Sequence, residues 1–361
     1  MNTIVQEDIQ GIIISECVDW SQFSNKTVLI TGATGMLPSY MVFTLLELNR
    51  CRHLNIHVIA LARNQEKVER MFKDYLEDDC LSIIVQDVSQ PFTYSEHCDF
   101  VIHAASQASP KFYGTDPVGT LNANVLGTHY LLEFSIKHQV ESFLFFSTGG
   151  VYGVVPESEI PMKESVCGYL DCRAVRNCYF ESKRMGENMC VSYAAQYGLN
   201  AKSVRVFHTY GPTMNVHDGR AFSDFCKAVS EGRDIVLHSE GLARRTFCYI
   251  TDAVKAYFIV LLQGQKGTSY NVGNSKEELS IIELATMLTR LYPEQHLRVV
   301  KEIDVTSMTY GKMKSPVQRT VPDTTLVESL GWTPGVSASE GFKRTIDCLR
   351  ASQYGQQQRT I

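Results

Sequence analysis

No apolar stretch in this chain is long enough to cross a bilayer. The longest, Ala256–Leu262, falls far short of the roughly 20 residues that a membrane helix needs. The amino-terminal segment carries Glu7, Asp8 and Glu16 and lacks a basic start leading into an apolar core, so no secretory signal and no membrane partner are expected. A strong charge of one sign is missing too. A net charge of −5 and a pI near 6.1 give no electrostatic footing for nucleic acid. Eleven cysteines are present, yet none forms a C-x-x-C pair. The group Cys167, Cys172 and Cys178 matches no common zinc spacing. Reduced structural thiols, no metal site and a cytoplasmic location are the expectation. Internal repeats, low-complexity tracts and long linkers are also absent. What is present, 44% hydrophobic and 20% charged residues in 361, is the composition of an ordinary globular protein, long enough for two domains or one large domain with an appendage.

Short β-rich runs alternate with helical patterns. The strand candidates are Thr27–Thr31, His57–Ala62, Leu81–Asp87, Phe100–Ala105, Ser142–Phe146 and Ser203–Phe207. They are nearly continuous apolar runs, the pattern of strands covered on both faces. Helical periodicity fills Asn122–His138 and Cys178–Tyr197 between them, so the fold class is α/β, a Rossmann-type doubly wound parallel sheet. Beyond about residue 212 the pattern changes to helices near Phe222–Gly232, Thr251–Gln263 and Ile281–Tyr292 separated by short strands. The expected division is an extension over 1–25 with a short helix outside the sheet, a dinucleotide domain over 26–212, and a smaller lobe over 213–355 interleaved with it. The polar tail Gln356–Ile361 is expected to fray.

The first strand runs into "TGATGMLPSYM". Gly32 allows a tight turn and Gly35 lets the backbone approach a pyrophosphate at a helix N-terminus. Met36 and Leu37 open that helix. The third glycine position of such a turn holds Pro38, tolerated in a first helical turn. At the end of the second strand Ala62-Arg63 stands where an acidic residue would hold the adenosine ribose. NAD is the expected cofactor, and Arg63 keeps NADP open because an arginine there can accept a 2′-phosphate.

In "CYFESKRMGE" Tyr179 and Lys183 are four residues apart on one helical face. A lysine cation near a phenol favours the phenolate, and such a phenol can take a proton from a sugar hydroxyl as hydride leaves the carbon. Thr148 can share that proton. The spacing alone is common, but the order of elements is specific. The glycine turn, Asp87-Val88, "HAAS" with Ala104 and Ala105, "NANVLGT" with Asn124, "STGGVYG" and Y-x-x-x-K follow one another. This arrangement resembles the extended short-chain dehydrogenase/reductase family, in its NAD-dependent epimerase/dehydratase branch, over roughly residues 26–345. The resemblance implies a Rossmann domain with a C-terminal substrate lobe, a nucleotide-sugar substrate, a homodimer and a role in polysaccharide biosynthesis. It assigns catalysis to Thr148, Tyr179 and Lys183. Cofactor binding falls to Gly32, Gly35, Met36, Leu37, Arg63, Asp87, Val88, Ala104, Ala105, Asn124, Tyr179 and Lys183.

Within the family the chain looks most like UDP-glucuronate decarboxylases, in "ASPKFYGTDPVGTLNANVLGT", "RNCYFESKRMGENMC", "HTYGPTMNVHDGRAFSDF", "RRTFCYITDA" and "VPDTTLVESLGW". In such enzymes NAD oxidises the sugar C4, the 4-keto acid loses carbon dioxide and the hydride returns. The expected substrate contacts are Ser109, Thr148, His208, Arg220, Phe222, Arg245 and Arg319, the last two arginines near the diphosphate. His208 stands where the family usually has asparagine, and either alters pocket polarity or titrates near neutrality. Decarboxylases of this type look like Thr-Ser-Glu at 148–150 and 4,6-dehydratases like Thr-Asp-Glu. This chain has Thr148-Gly149-Gly150, which suits C4 oxidation and reduction and supplies no acid for removing the C5 proton. A roomier pocket floor is expected there, with a turn that needs positive φ. A 4-epimerase, a 4-ketoreductase or 4-dehydrogenase, and a catalytically silent dinucleotide-binding sensor or scaffold are the alternatives. For the dimer, Tyr130, Leu131, Phe134, Met185 and Met189 are expected on the outward helix faces.

Overall fold

The computed structural model describes residues 1–302 and 317–357. In its first strand, β1 (Thr27–Thr31), Val28 and Ile30 join one apolar cluster and Leu29 another. Successive side chains leave a strand on opposite faces, so β1 needs a layer on each side. The same holds for β2 (His57–Ala62). β3 (Leu81–Val85) lies at the sheet edge and is only partly covered. β4 (Phe100–His103), β5 (Ser142–Thr148) and β6 (Ala201–Val206) complete the run. With Ser269–Val272 they form one seven-stranded sheet in the order β3-β2-β1-β4-β5-β6-(Ser269–Val272). Every pairing in it is parallel.

Helix α1 (Thr3–Ile13) packs outside the layers, against α2 (Met36–Arg52) and, further along the chain, Ile250–Gln263. Its Asp8 accepts hydrogen bonds from Tyr40 (3.0 Å), Tyr249 (2.7 Å) and Arg344 (2.7 Å). The short α3 (Gln65–Met71) and α4 (Pro110–Thr115) flank the C-terminal ends of the strands. On the opposite face from α2 lie α5 (Pro117–Lys137) and α6 (Cys178–Tyr197), packed on each other and on β5. Next come α7 (Ala221–Ser230), α8 (Ile250–Gln263) and α9 (Ile281–Arg290). Short strands then pair Arg244–Thr246 with Glu278–Ser280 and Arg319–Thr320. Residues beyond 212 also return to the main body: α8 covers the sheet and Ser269–Val272 extends it.

Several boundaries move for local reasons. The helix expected from Asn122 starts at Pro117, because Asp116 caps it by accepting from Gly119 N (3.0 Å) and proline suits a first helical position. The runs expected to Asp87 and Ala105 end as strands at Val85 and His103, whereas β5 continues to Thr148. The last helix, Ala338–Gln357, takes in the start of the expected frayed tail, and 358–361 lie outside the described residues.

The expected outward face needs correction. Leu131 (0% exposed) and Phe134 (4%) point into the core, packed with Phe143 and Phe145 of β5. They share the helix face of Ala123, which lies on the sheet. Tyr130 and Met189 are half-buried, and only Met185 is exposed. Among the described residues no helix is long and apolar enough to cross a membrane.

Candidate active site

The sheet order makes β1 and β4 neighbours although their crossovers lead to opposite edges. Such a switch point opens a crevice beyond the carboxyl ends of the strands. A cleft of about 1580 Å³ lies there, running from Gly32 and Gly35 past Thr148 and Tyr179 to His208, Arg220 and Arg245.

The glycine turn closes one end. Gly32 has φ +65°, and a Cβ on it would stand 2.7 Å from Ala105 Cα, so both the turn and the contact with the strand β4 exit require glycine. Thr31 Oγ1 accepts from Ala105 N (3.1 Å) and pairs with His103 Nδ1 (2.9 Å). Helix α2 starts after Gly35 with no side-chain cap. Its first N–H groups are therefore available to an anion, a fit for a dinucleotide pyrophosphate. Met36, Leu37, Val88, Ala104 and Ala105 line the same end. Arg63 and Asp87 face each other across it at 3.8 Å, both substantially exposed. Asn124 lies behind the wall, fully buried. It donates to Ser182 (2.9 Å), and its Oδ1 has no partner among the described residues.

The chemical pair sits at the centre. Glu187 of α6 accepts from Ser147 (2.5 Å), from Arg205 (2.8 Å) and from Ser269 (3.2 Å). These bonds tie α6 to the ends of β5 and β6 and to the start of the strand Ser269–Val272, one helical turn from Lys183. Lys183 Nζ donates to the Phe146 carbonyl (2.6 Å) and lies 5.8 Å from the Tyr179 ring centre. Arg184 donates to Val151 O (2.7 Å) and Gly168 O (2.8 Å), pinning the glycine-pair turn against α6. Thr148 Oγ1 accepts from Gly150 N (3.2 Å).

The electrostatics differ from the sequence expectation. Burial pushes the Tyr179 phenol above its usual value, opposed by the Arg220 charge and then by a hydrogen bond with Thr148. Burial also lowers Lys183 to about 7, against the opposing influence of Glu187. The cation that acts on the phenol in the free chain is thus Arg220. His208 is pushed down to about 3 by burial and by the charges of Arg245 and Arg220. It stays neutral at working pH and does not titrate near neutrality.

Most of the sequence-predicted residues converge. Ser109, His208, Arg220, Phe222 and Arg245 line the cleft, and Arg319 does not. Arg319 is engaged by Glu278 (2.8 Å) and Glu157 (2.9 Å). Ser109 donates to Asp218 O (3.0 Å) and Arg220 to Ala108 O (3.1 Å), joining two loops at the mouth. Arg245 donates to the carbonyls of Arg244 (2.7 Å), Val317 (2.8 Å) and Gln318 (3.0 Å).

The aromatic lining was missed. Tyr113 stacks on Tyr179 with centroids 4.8 Å apart and planes at 12°. Phe180 meets Tyr179 edge-on at 5.4 Å. Both lie inside motifs read for other residues, next to the signal rather than part of it. The floor at 149–150 is also corrected. A Cβ on Gly150 would stand 2.2 Å from Phe180 Cε1, and one on Gly149 would stand 2.9 Å from Phe207 Cε1. Neither glycine has positive φ. Aromatic rings occupy the expected room, so a side chain at either position would have to displace a ring rather than strain the backbone.

The model of the NAD dependent epimerase/dehydratase family matches residues 28–273. UDP-glucuronic acid decarboxylase 6 of Arabidopsis thaliana is 31% identical over 321 residues, covering 88% of this chain and 87% of the relative. Two solved structures superpose over nearly their whole length. UDP-glucose 4-epimerase of Thermotoga maritima gives a TM-score of 0.76 at 24% identity, covering 91% of this chain and 99% of the other. UDP-glucuronic acid 4-epimerase of Bacillus cereus, in complex with NAD and UDP-4-deoxy-4-fluoro-glucuronic acid, gives 0.75 at 21%, covering 90% and 99%.

Proposed function

This chain belongs to the NAD-dependent epimerase/dehydratase family, and from that premise we propose that it oxidises and re-reduces C4 of a nucleotide sugar, in the manner of a UDP-glucuronate decarboxylase. The observation that carries the reading is the meeting of Thr148, Tyr179 and Lys183 in the cleft at the switch point. Gly32, Gly35 and the uncapped start of α2 would hold the NAD pyrophosphate, and Ala104, Ala105, Arg63 and Asp87 would complete the cofactor's site. NAD bound there supplies the hydride acceptor and, on the return, the donor. Tyr179 acts from its phenolate form, which, against burial, the Arg220 charge and the Thr148 hydrogen bond favour; it takes the proton of the C4 hydroxyl as the C4–H bond breaks and gives it back when the ketone is reduced. Thr148 holds the same oxygen. Arg220 and Arg245, at the far end of the cleft, face the diphosphate.

The net outcome depends on the sugar. A C5 carboxylate makes the ketone a β-keto acid, whose loss of carbon dioxide needs no acid at position 150; the enolate left at C5 takes its proton from water before the hydride returns. Return of hydride to the other face gives epimerisation, and a supplied ketone gives simple reduction.

The assembly proposed is a homodimer through α5 and α6. Their exposed apolar residues are Val118, Leu121, Leu126, Met185, Val191 and Tyr197, a surface suited to a two-fold contact. All eleven cysteines are free, which supports a reducing, cytoplasmic setting. The test of function is to add nucleotide sugars to the purified protein and follow formation of reduced nicotinamide. Reduction by at least one sugar is expected. None, with cofactor bound, points to the silent sensor.

A further inference from the structure

Thr148 comes to the site on β5, and Tyr179 and Lys183 come on α6. The three meet only while the helix keeps one register on the end of that strand. Two bonds fix the register at consecutive residues of β5. Lys183 Nζ donates to the Phe146 carbonyl (2.6 Å), and Ser147 Oγ donates to Glu187 (2.5 Å). Thr148 is the next residue. Lys183 and Glu187 are four apart on α6 and share one face of it.

Glu187 is buried (8% exposed) and does not line the cleft, so no substrate reaches it there. Arg205 of β6 meets its charge with three hydrogen bonds of 2.8, 3.0 and 3.2 Å, a fork that orients both carboxylate oxygens. Arg205 is anchored in turn on the Glu164 carbonyl (2.8 Å) and lies 4.8 Å over the Tyr152 ring. Ser269, in the edge strand, adds a bond to Glu187 (3.2 Å). A buried ion pair is costly to desolvate and is weak evidence of stability by itself. This one sits one turn from the reactive lysine. The ionisable groups acting on Lys183 are Glu187 and Cys190 of its own helix, with Tyr179 one turn back and His103 of β4 opposite in charge balance. Glu187 is the carboxylate among them, and Arg205 is its partner.

We propose that Glu187, oriented by Arg205, is a positioning residue of the proton-transfer site: it sets the register of α6 on the end of β5 that brings Tyr179 to Thr148, and it supplies the counter-charge to Lys183. The inference rests on C4 chemistry as the site's function.

The test reads three quantities on the NAD-loaded protein. They are the single-turnover rate of cofactor reduction at saturating nucleotide sugar, the affinity for that sugar by calorimetry, and the ionisation of Lys183. The last is followed by the Cε resonance of isotope-labelled lysine, identified by its absence in Lys183→Met. Glu187→Gln keeps the length of the side chain and removes the charge. Reduction should slow on the order of 10²-fold, the scale of a small misplacement of reacting groups, while sugar affinity holds and the Lys183 midpoint moves to lower pH. Glu187→Asp keeps the charge and shortens the reach. It should slow reduction as well, with a smaller movement of the midpoint. Where Glu187→Gln does not fold, its combination with Arg205→Gln leaves no lone buried cation and is read in the same way. A parent rate in a folded Gln variant, a loss confined to sugar affinity, or a Lys183 midpoint that Glu187→Gln leaves in place overturns the proposal. If the midpoint moves while no sugar reduces NAD even in the parent, the C4 reading fails and the control of Lys183 by Glu187 stands.

Discussion

Replacing Tyr179 by phenylalanine removes one oxygen from a site whose packing does not depend on it. The ring is 7% exposed, stacked on Tyr113 at 4.8 Å and braced by Phe180 at 5.4 Å. Those contacts are made by carbon, so the variant should fold and should bind NAD and nucleotide sugar as the parent does. What it loses is the group that takes the C4 proton. Burial keeps bulk water from standing in, and the Thr148 hydroxyl, itself a weak base, cannot hold the proton alone. A positioned acid–base group is worth on the order of 10² to 10⁴ in rate, or roughly 3–5 kcal/mol of barrier. Single-turnover reduction of the bound cofactor measures the rate, and calorimetry with the nucleotide sugar measures binding. A rate within a factor of a few of the parent would falsify the assignment. Normal chemistry with lost binding would instead make Tyr179 a binding residue.

Gly32→Ala places a Cβ 2.7 Å from the Ala105 backbone at φ +65°. The left-handed backbone alone costs about 1–2 kcal/mol, so a lower melting temperature and roughly tenfold weaker NAD binding are expected; an unchanged affinity removes the turn from the cofactor site. Lys183 has its pKa lowered to about 7 by burial, so between about pH 7 and its unfolded value the unfolded chain holds more protons and stability rises with pH. Lys183→Met abolishes that slope, and its melting temperature relative to the parent should be higher at pH 7 than at pH 9.5; a constant difference contradicts the buried lysine. The glycine pair supplies no acid or base for C5 and C6, so incubation with UDP-, dTDP-, GDP- and CDP-hexoses should give no product lighter by one water. Such a product, formed at ordinary turnover, would show the reading of "STGGVYG" to be mistaken.

The parts of the fold legible in the sequence were those set by local periodicity. Continuous apolar runs such as Phe143–Phe146 and Val58–Leu61 marked strands covered on both faces, and the sheet is built from them. The site residues carried by fixed spacing, Tyr179 with Lys183 and Gly32 with Gly35, were legible for the same reason. What escaped depends on contacts distant in sequence. Phe180 fills the space over Gly150, thirty positions earlier, and nothing in either motif announces that meeting. Tyr113 reaches Tyr179 from α4, and the charge of Arg220, in the segment before α7, acts on it. Leu131 and Phe134 looked suitable for an interface because they are apolar, but a helical repeat gives two faces and only the packing says which one meets the sheet. Lys183 was expected charged beside the phenol; its burial against Phe146 is a tertiary fact.

The central claim is that hydrogen moves between C4 of a nucleotide sugar and NAD held in this cleft. Its most direct test is to mix the NAD-loaded protein with nucleotide sugars deuterated at C4, and to analyse the cofactor and sugar by mass spectrometry after a single turnover. The account predicts deuterium on the nicotinamide, transiently or at the end point, and slower transfer than from the unlabelled sugar. Conversion of the sugar with no deuterium reaching the nicotinamide at any time, at a rate unaffected by the label, would contradict it.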